Sequence, residues 1–111
     1  MTKENTHCTI PHAKNKYPTE NTIEQQIDTL KALTDPTRIK ILYLLQETET
    51  CSCAIENALQ KPQPTISHHL KILKKAKLIK GRKIGTWIYY TINHPDIIQK
   101  IEQLTNTTTK K

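Results

Sequence analysis

Apolar residues recur every three or four positions along most of the chain, which is the spacing of one face of an α-helix. The first such stripe comprises Ile23, Ile27, Leu30 and Leu33. Thr22 and Gln25 resemble a capping box at the start of this helix. A second helix begins after Asp35, because Pro36 suits a first helical turn, and it runs to about Glu47. Its predicted inward-facing residues are Ile39, Leu42, Tyr43 and Leu45.

Two further helices with a tight turn between them are predicted from Ser52 to Lys77. The first of the two is short and ends near Leu59, and the second begins between Pro62 and Thr65. The apolar stripe of the second helix consists of Ile66, Leu70, Leu73 and Ala76. This order is typical of a helix-turn-helix, in which the second helix is the recognition helix that enters a DNA groove.

The spacing changes to that of β-strands after the candidate recognition helix. The runs from Leu78 to Ile84 and from Thr86 to Ile92 are β-prone, and Lys83-Ile84-Gly85-Thr86 is the predicted turn, where Gly85 is free to adopt positive φ. We therefore predict a two-stranded hairpin, or wing. His94-Pro95-Asp96 begins a final helix, with Pro95 at its first position. The apolar stripe of that helix consists of Ile97, Ile101 and Leu104.

Together these elements predict a mainly α fold with a small β-hairpin: a winged helix-turn-helix of about five helices plus a two-stranded wing. Residues 21–105 are expected to form the folded domain, residues 1–20 a mobile polar arm and residues 106–111 a frayed tail. The first and last helices carry apolar faces beyond the needs of a small core, which favours a homodimer. The alternative is that these faces pack within one protomer.

The polar face of the candidate recognition helix has the chemistry that DNA requires. Neutral hydrogen-bonding residues lie near its start and suit base edges, whereas basic residues lie further along and on the hairpin and suit phosphates. We predict base-edge contacts from Gln63, Thr65, Ser67 and His68. We predict phosphate contacts from Lys71, Lys75, Lys80, Arg82 and Lys83. A charge run is also typical of an ordinary solvated helix face, and the hairpin that follows favours the DNA interpretation.

The composition of the chain limits the kinds of molecule that it is expected to bind. The chain has 111 residues, a formal net charge of +7 and an isoelectric point near 9.4, which favours an anionic partner. Two-fold DNA readers address palindromic sites, so double-stranded DNA with a palindromic operator is the expected partner. The longest apolar run, Ile41 to Leu45, is too short to span a membrane, and the N-terminus has no apolar signal region, so we expect a cytoplasmic protein without a membrane partner. With only two glycines there is no glycine-rich phosphate loop, and we expect no enzyme activity.

The three cysteines are Cys8, Cys51 and Cys53, and their odd number argues against a disulfide framework. They are therefore free thiols, metal ligands or redox groups. Residues two apart on a regular helix point about 200° away from each other, so Cys51 and Cys53 can share an ion only if the start of the third helix is extended. Thiolates there would select soft ions such as As(III), Sb(III), Cd(II), Pb(II) and Zn(II).

Four segments in this order resemble the ArsR/SmtB family of metal-sensing winged-helix repressors, over roughly Ile23 to Leu104. The segments are LKALTDPTRIKILYLL, CSCAIENALQ, TISHHLKILKKAKLI and KIGTWIYYTI. The resemblance implies a homodimer that represses its operon and leaves DNA when a metal or metalloid ion binds. It implies no permanently bound cofactor, and an inducer that is either As(III)/Sb(III) or Cd(II)/Pb(II)/Zn(II).

The resemblance also implies a ligand set. A Cys-x-Cys pair at the start of this helix is similar to the inducer site of the arsenic- and cadmium-sensing branches. The arsenic sensors have a third cysteine three residues further on, where this chain has Glu56. The cadmium/lead-sensing branch adds two arm cysteines four residues apart, which Cys8 and His12 match in position. The implied ligands are Cys8, Cys51 and Cys53, with His12 as a possible fourth and the arm from either protomer.

Two alternatives to an ion-released repressor stay open. One is a repressor of the same fold that is switched by thiol oxidation, with a disulfide to Cys8 favoured over one between Cys51 and Cys53, because the latter pair would lie on a helix. The other is a metal-buffering protein whose basic charge is incidental. Release of DNA by peroxide without metal would favour the first, and absence of sequence-specific DNA binding would favour the second.

Overall fold

The structure is a computed structural model that describes residues 6–108. Within that range the chain forms five α-helices and three β-strands, preceded by two 3-10 turns at Thr6–Cys8 and Ala13–Asn15. In chain order the elements are α1 (Glu20–Ala32), α2 (Pro36–Glu47), β1 (Thr50–Cys51), α3 (Ser52–Leu59), α4 (Gln63–Lys75), β2 (Ile79–Ile84), β3 (Trp87–Ile92) and α5 (Ile97–Thr105). Across residues 6–108, no helix has the length and apolar character needed to cross a membrane.

The helix starts differ from prediction at both ends of the domain. The cap of α1 is Thr19 rather than Thr22: the Thr19 hydroxyl accepts the Thr22 N–H at 3.3 Å, so Thr22 already lies in the first turn. Pro95 precedes α5 instead of opening it. The Ile97 N–H donates to the His94 carbonyl at 2.9 Å, and this turn delays the helix until after Asp96.

The helix-turn-helix is confirmed. Helix α3 ends at Gln60, whose φ of 55° lies in the left-handed region, and α4 follows after Pro62. In the stripe predicted for α4, Ile66, Leu70 and Leu73 are buried and join the core with residues of α2, α3 and the base of the hairpin. Ala76 follows the end of the helix and is half-buried. In α2, Ile41 is fully buried while the predicted Ile39 is only half-buried. The most completely buried side chains are Ile41, Leu42, Ile55, Ile66, Leu73, Leu78 and Ile79.

The wing is part of a three-stranded antiparallel sheet, in which β3 lies between β1 and β2. Strand β1 was not predicted, because two residues are too few to show an alternating pattern. The hairpin pairs run from Ile79↔Ile92 to Ile84↔Trp87, so Gly85 and Thr86 alone form the turn and Ile84 belongs to the strand. Gly85 has the predicted positive φ, at 63°.

The register places one residue of each strand in a common row. Cys51 pairs with Tyr89, and Tyr89 pairs with Arg82, so these three residues cross the sheet side by side. Side chains alternate between faces along a strand, and the opposite face carries Ile79, which is 1% exposed in the core. We call the face that carries Cys51, Tyr89 and Arg82 the outer face of the sheet.

Candidate nucleic-acid interface and thiol pair

Helix α4 and the wing carry the residues that the sequence assigned to DNA. All of these residues except Thr65, which is half-buried, are exposed on α4 and the wing: Gln63, Ser67, His68, Lys71, Lys75, Lys80, Arg82 and Lys83. The buried residues Ile66, Leu70 and Leu73 face the core, so the exposed residues of α4 lie on the opposite side of the helix. The arrangement is chemically able to meet both base edges and phosphates.

The two adjacent histidines of α4 diverge. His68 is exposed, whereas His69 turns inward, where the Arg38 guanidinium lies 3.0 Å from its Nδ1 and the Asp35 carboxylate lies 3.8 Å away. Burial lowers the pKa of His69, despite the opposing effect of Asp35. The ring is therefore neutral near pH 7, and its Nδ1 accepts a hydrogen bond from Arg38, which can only donate.

Arg38 connects three helices. Its Nε donates to the carbonyl of Ala32 at 2.8 Å, at the end of α1, while its own backbone belongs to α2 and its side chain meets His69 of α4. Sequence reasoning missed this contact, because 31 residues separate Arg38 from His69. It fixes the orientation of the recognition helix relative to the first two helices.

The wing carries a second contact that the sequence did not reveal. Arg82 donates from Nε to Glu49 Oε2 at 2.6 Å and from Nη2 to Glu49 Oε1 at 2.8 Å. This hydrogen bond lowers the pKa of Glu49 and raises that of Arg82. The predicted phosphate ligand Arg82 is thus held by a carboxylate of its own chain, whereas Lys80 and Lys83 are exposed beside it.

The thiols of Cys51 and Cys53 lie 2.9 Å apart. They can meet because Cys51 is the N-cap of α3 in extended conformation (φ −75°, ψ 148°), so the helix starts only after it. The start of the third helix is therefore extended, as the sequence required for Cys51 and Cys53 to share an ion. Cys51 is 8% exposed and pairs with β3, whereas Cys53 is exposed on the first turn of α3.

The environment favours a thiolate on Cys51. A hydrogen bond from Cys53 and the backbone N–H groups of Cys53 and Ala54 lower the pKa of Cys51, although burial opposes this. The pKa of Cys53 is raised, first by its hydrogen bond to Cys51 and also by burial and the negative charge of Glu56. The pair therefore loses its first proton readily and retains its second, until a positive ion compensates both charges.

The thiol pair fits a soft ion after a small movement. Two thiolates bound tetrahedrally at about 2.3 Å lie about 3.8 Å apart, so the sulfurs would separate by about 1 Å. The remaining predicted ligands are not assembled around them. Cys8 and His12 are exposed in the arm, and within residues 6–108 of one protomer no group of three or more His, Cys, Asp or Glu side chains is arranged to hold a metal ion.

Comparison with known proteins adds a family match. The family model described as bacterial regulatory protein, arsR family, matches residues 35–80. The chain is 49% identical to an uncharacterized HTH-type transcriptional regulator of Methanocaldococcus jannaschii, over 73% of this chain and 96% of that protein. It is 40% identical to an arsenical resistance operon repressor of Staphylococcus aureus, over 74% of this chain and 81% of that protein.

Two further similarities concern the cadmium branch and the fold. A cadmium resistance transcriptional regulatory protein homolog of Staphylococcus aureus is 40% identical, over 66% of this chain and 61% of that protein. A homodimeric winged helix-turn-helix DNA-binding domain of Mycobacterium bovis superposes with a TM-score of 0.68 at 27% identity, covering 86% of this chain and 99% of that one.

Proposed function

Since the chain belongs to the arsR family of bacterial transcriptional regulators, we propose that it is a homodimeric repressor that leaves its operator when a thiophilic ion binds Cys51 and Cys53. The observation that carries this proposal is the thiol pair, 2.9 Å apart at the start of α3. Helix α3 is the first helix of the helix-turn-helix and packs directly against the recognition helix.

The DNA side of the proposal rests on the exposed arc of α4 and the wing. Base edges are contacted by Gln63, Thr65, Ser67 and His68, and phosphates by Lys71, Lys75, Lys80, Arg82 and Lys83. The two recognition helices of a dimer then address the two halves of a palindromic operator. The phosphate contacts make the affinity fall steeply with salt concentration.

The ion side of the proposal rests on linkage. An ion that binds the free protein more tightly than the DNA-bound protein must weaken DNA binding by the same factor, and couplings of about 1–3 kcal/mol correspond to about 5–150-fold. Cys51 and Cys53 supply two sulfur ligands, and the arm supplies Cys8 and His12 from the same or the partner protomer. Glu56 stands where a local third sulfur would be needed for As(III), so a site restricted to one protomer cannot offer three thiolates without Cys8.

The inducer is identified by titrating the DNA-bound protein. The experiment is fluorescence anisotropy of the reduced protein on its own upstream DNA under anaerobic conditions, with Cd(II) and As(III) in parallel. Release by Cd(II) with little effect of As(III) would indicate a site that includes His12. Release by As(III) alone would indicate three thiolates. Specific binding that neither ion weakens would contradict the ion-sensing proposal, and absence of specific binding would favour a metal-buffering protein.

A thiol-redox switch is the second candidate, and the structure gives it a specific observation. The argument against a Cys51–Cys53 disulfide assumed that both residues are helical, but Cys51 is extended and its sulfur is 2.9 Å from that of Cys53. Peroxide would take two electrons and two protons from the pair, forming one disulfide and water. Reversible loss of DNA binding under peroxide in the absence of metal distinguishes this candidate from ion sensing.

A further inference from the structure

The contact between Glu49 and Arg82 joins the segment before the thiol pair to the wing. Both nitrogen–oxygen distances are short, 2.6 and 2.8 Å, and each oxygen of the carboxylate accepts from a different guanidinium nitrogen. A two-point contact of this kind fixes orientation as well as distance. The Glu49 side chain is 28% exposed and that of Arg82 is 66% exposed, so the contact adds little to stability and its effect is on position.

The contact crosses the sheet. Strands β1 and β2 flank β3 on opposite sides, and neighbouring strands lie about 4.8 Å apart, so Arg82 reaches about 10 Å over the outer face to meet Glu49. Cys51 lies two residues after Glu49. It pairs with Tyr89, which in turn pairs with Arg82. Two independent connections, the row of paired residues and the Glu49 carboxylate, therefore run from the thiol pair to the wing.

We propose that Glu49 is a positioning residue that transmits the state of the Cys51–Cys53 pair to Arg82 of the wing. This inference rests on the proposed function and deepens it. Opening the sulfurs by about 1 Å to hold an ion displaces Cys51, which is tied to β3 by β1 pairing. The displacement is passed through Thr50 to the Glu49 carboxylate, two residues earlier in the chain, and Arg82 follows because both of its bonds go to that carboxylate.

The consequence for DNA binding follows from the occupied donors of Arg82. A guanidinium that holds Glu49 through Nε and Nη2 can reach a phosphate only in an orientation that Glu49 permits. Lys80 and Lys83 make no comparable ion pair among the described contacts. Arg82 is therefore the basic residue of the wing whose orientation depends on the thiol pair.

The chain carries its own reporter for this movement. Its one tryptophan, Trp87, is 52% exposed on β3, on the same outer face as Tyr89 and Arg82. The experiment titrates DNA-free reduced protein with CdCl₂ under anaerobic conditions and records thiolate-to-metal absorbance and Trp87 emission together. It compares the unchanged chain with Glu49→Gln, which keeps the shape but removes the charge, and with Glu47→Gln, an exposed residue of α2 with the same change in charge.

The expected result is that absorbance and emission change together in the unchanged chain and in Glu47→Gln. Glu49→Gln should keep the absorbance change and lose at least two thirds of the emission change. An emission change of full size in Glu49→Gln overturns the inference, as does an unchanged chain that binds Cd(II) without an emission change; both leave the proposed function intact. If the unchanged chain shows no thiolate absorbance with CdCl₂, and none with As(III) in a parallel titration, the proposed function itself fails.

A second readout uses DNA. The factor by which Cd(II) weakens operator binding should fall at least threefold in Glu49→Gln and in Arg82→Lys, and the double variant should lose no more than either single variant, because both changes break one contact. Losses that multiply in the double variant would show that the two residues act separately and would contradict the inference.

Discussion

Burial lowers the pKa of His69 on the recognition helix. Its ring is held between Arg38 and Asp35 in a half-buried position on the recognition helix. Adjacent residues on a helix point in different directions, so His68 and His69 cannot both face the same partner. The sequence could not predict the partners of His69, since Asp35 and Arg38 lie at the start of α2, more than 30 positions earlier in the chain.

Acidification is expected to destabilise the protein through His69. Burial lowers its folded pKa below the 6.5 of a free histidine, so the unfolded chain binds a proton more readily than the folded chain. Stability is therefore present above about pH 6.5 and is lost as the pH falls through the folded pKa. We expect His69→Gln to show a smaller loss between about pH 7.5 and about pH 5 in urea unfolding at fixed protein concentration.

The matched control for this prediction is His68→Gln, which removes an exposed histidine from the adjacent position. It should lose stability on acidification as the unchanged chain does. An acid-induced loss in His69→Gln as large as that of the unchanged chain would contradict the role assigned to the half-buried ring.

The thiol site was predictable from the sequence in one respect and not in another. The spacing of Cys51 and Cys53 required an extended helix start, and Cys51 has that conformation. The role of Glu49 was not visible, because it lies in a polar loop and its partner Arg82 is 33 residues away. Contacts between residues so far apart depend on how the sheet assembles, which local patterns do not encode.

At the scale of elements, strong local sequence signals were sufficient to predict where a helix begins, and weak ones were not. The Asp-Pro sequence before α2 predicted a helix start, and Asp35 Oδ2 accepts the N–H groups of Thr37 at 2.9 Å and Arg38 at 3.1 Å. The capping-box pattern predicted Thr22 as the cap of α1, but Thr19 is the residue that caps it. Strand β1 exists only by pairing with β3, so no local pattern could predict it.

Asp35→Ala should destabilise the protein by about 1–2 kcal/mol, because two backbone donors at the start of α2 would lose their acceptor. The measurement is thermal unfolding followed by circular dichroism at fixed protein concentration. Asp28→Ala is the control, since Asp28 is an exposed residue inside α1. Equal effects of the two substitutions would show that the cap contributes nothing beyond the loss of a surface charge.

At the scale of the whole molecule, one protomer leaves apolar surface uncovered and is far from spherical. Ile27 and Leu30 of α1 are 44% and 54% exposed, and Leu104 of α5 is 80% exposed. The radius of gyration is 19.4 Å, whereas a compact domain of this length has about 13 Å. The order of the helices and the wing was predictable from the sequence. A partner protomer that covers these faces is indicated only by their exposed apolar surface.

The homodimer is tested by placing charge on those faces. We expect Leu30→Lys combined with Leu104→Lys to shift the protein from dimer to monomer in sedimentation velocity, with at least tenfold weaker association, because the buried interface would carry unpaired charge. Gln46→Lys, at an exposed position of α2, is the control and should remain dimeric. A double variant that still sediments as a dimer would place the interface elsewhere.

The central claim is that Cys51 and Cys53 link ion binding to DNA release. Its most direct test is anaerobic fluorescence anisotropy on the upstream DNA, with and without Cd(II), for Cys51→Ser, Cys53→Ser and the control Ser52→Ala. We predict that all three variants bind DNA within about threefold of the unchanged chain, and that only Ser52→Ala is still released by the ion, by a factor in the range of about 5–150. Release of both cysteine variants at the same Cd(II) concentration, or loss of their DNA binding without any ion, would contradict the account.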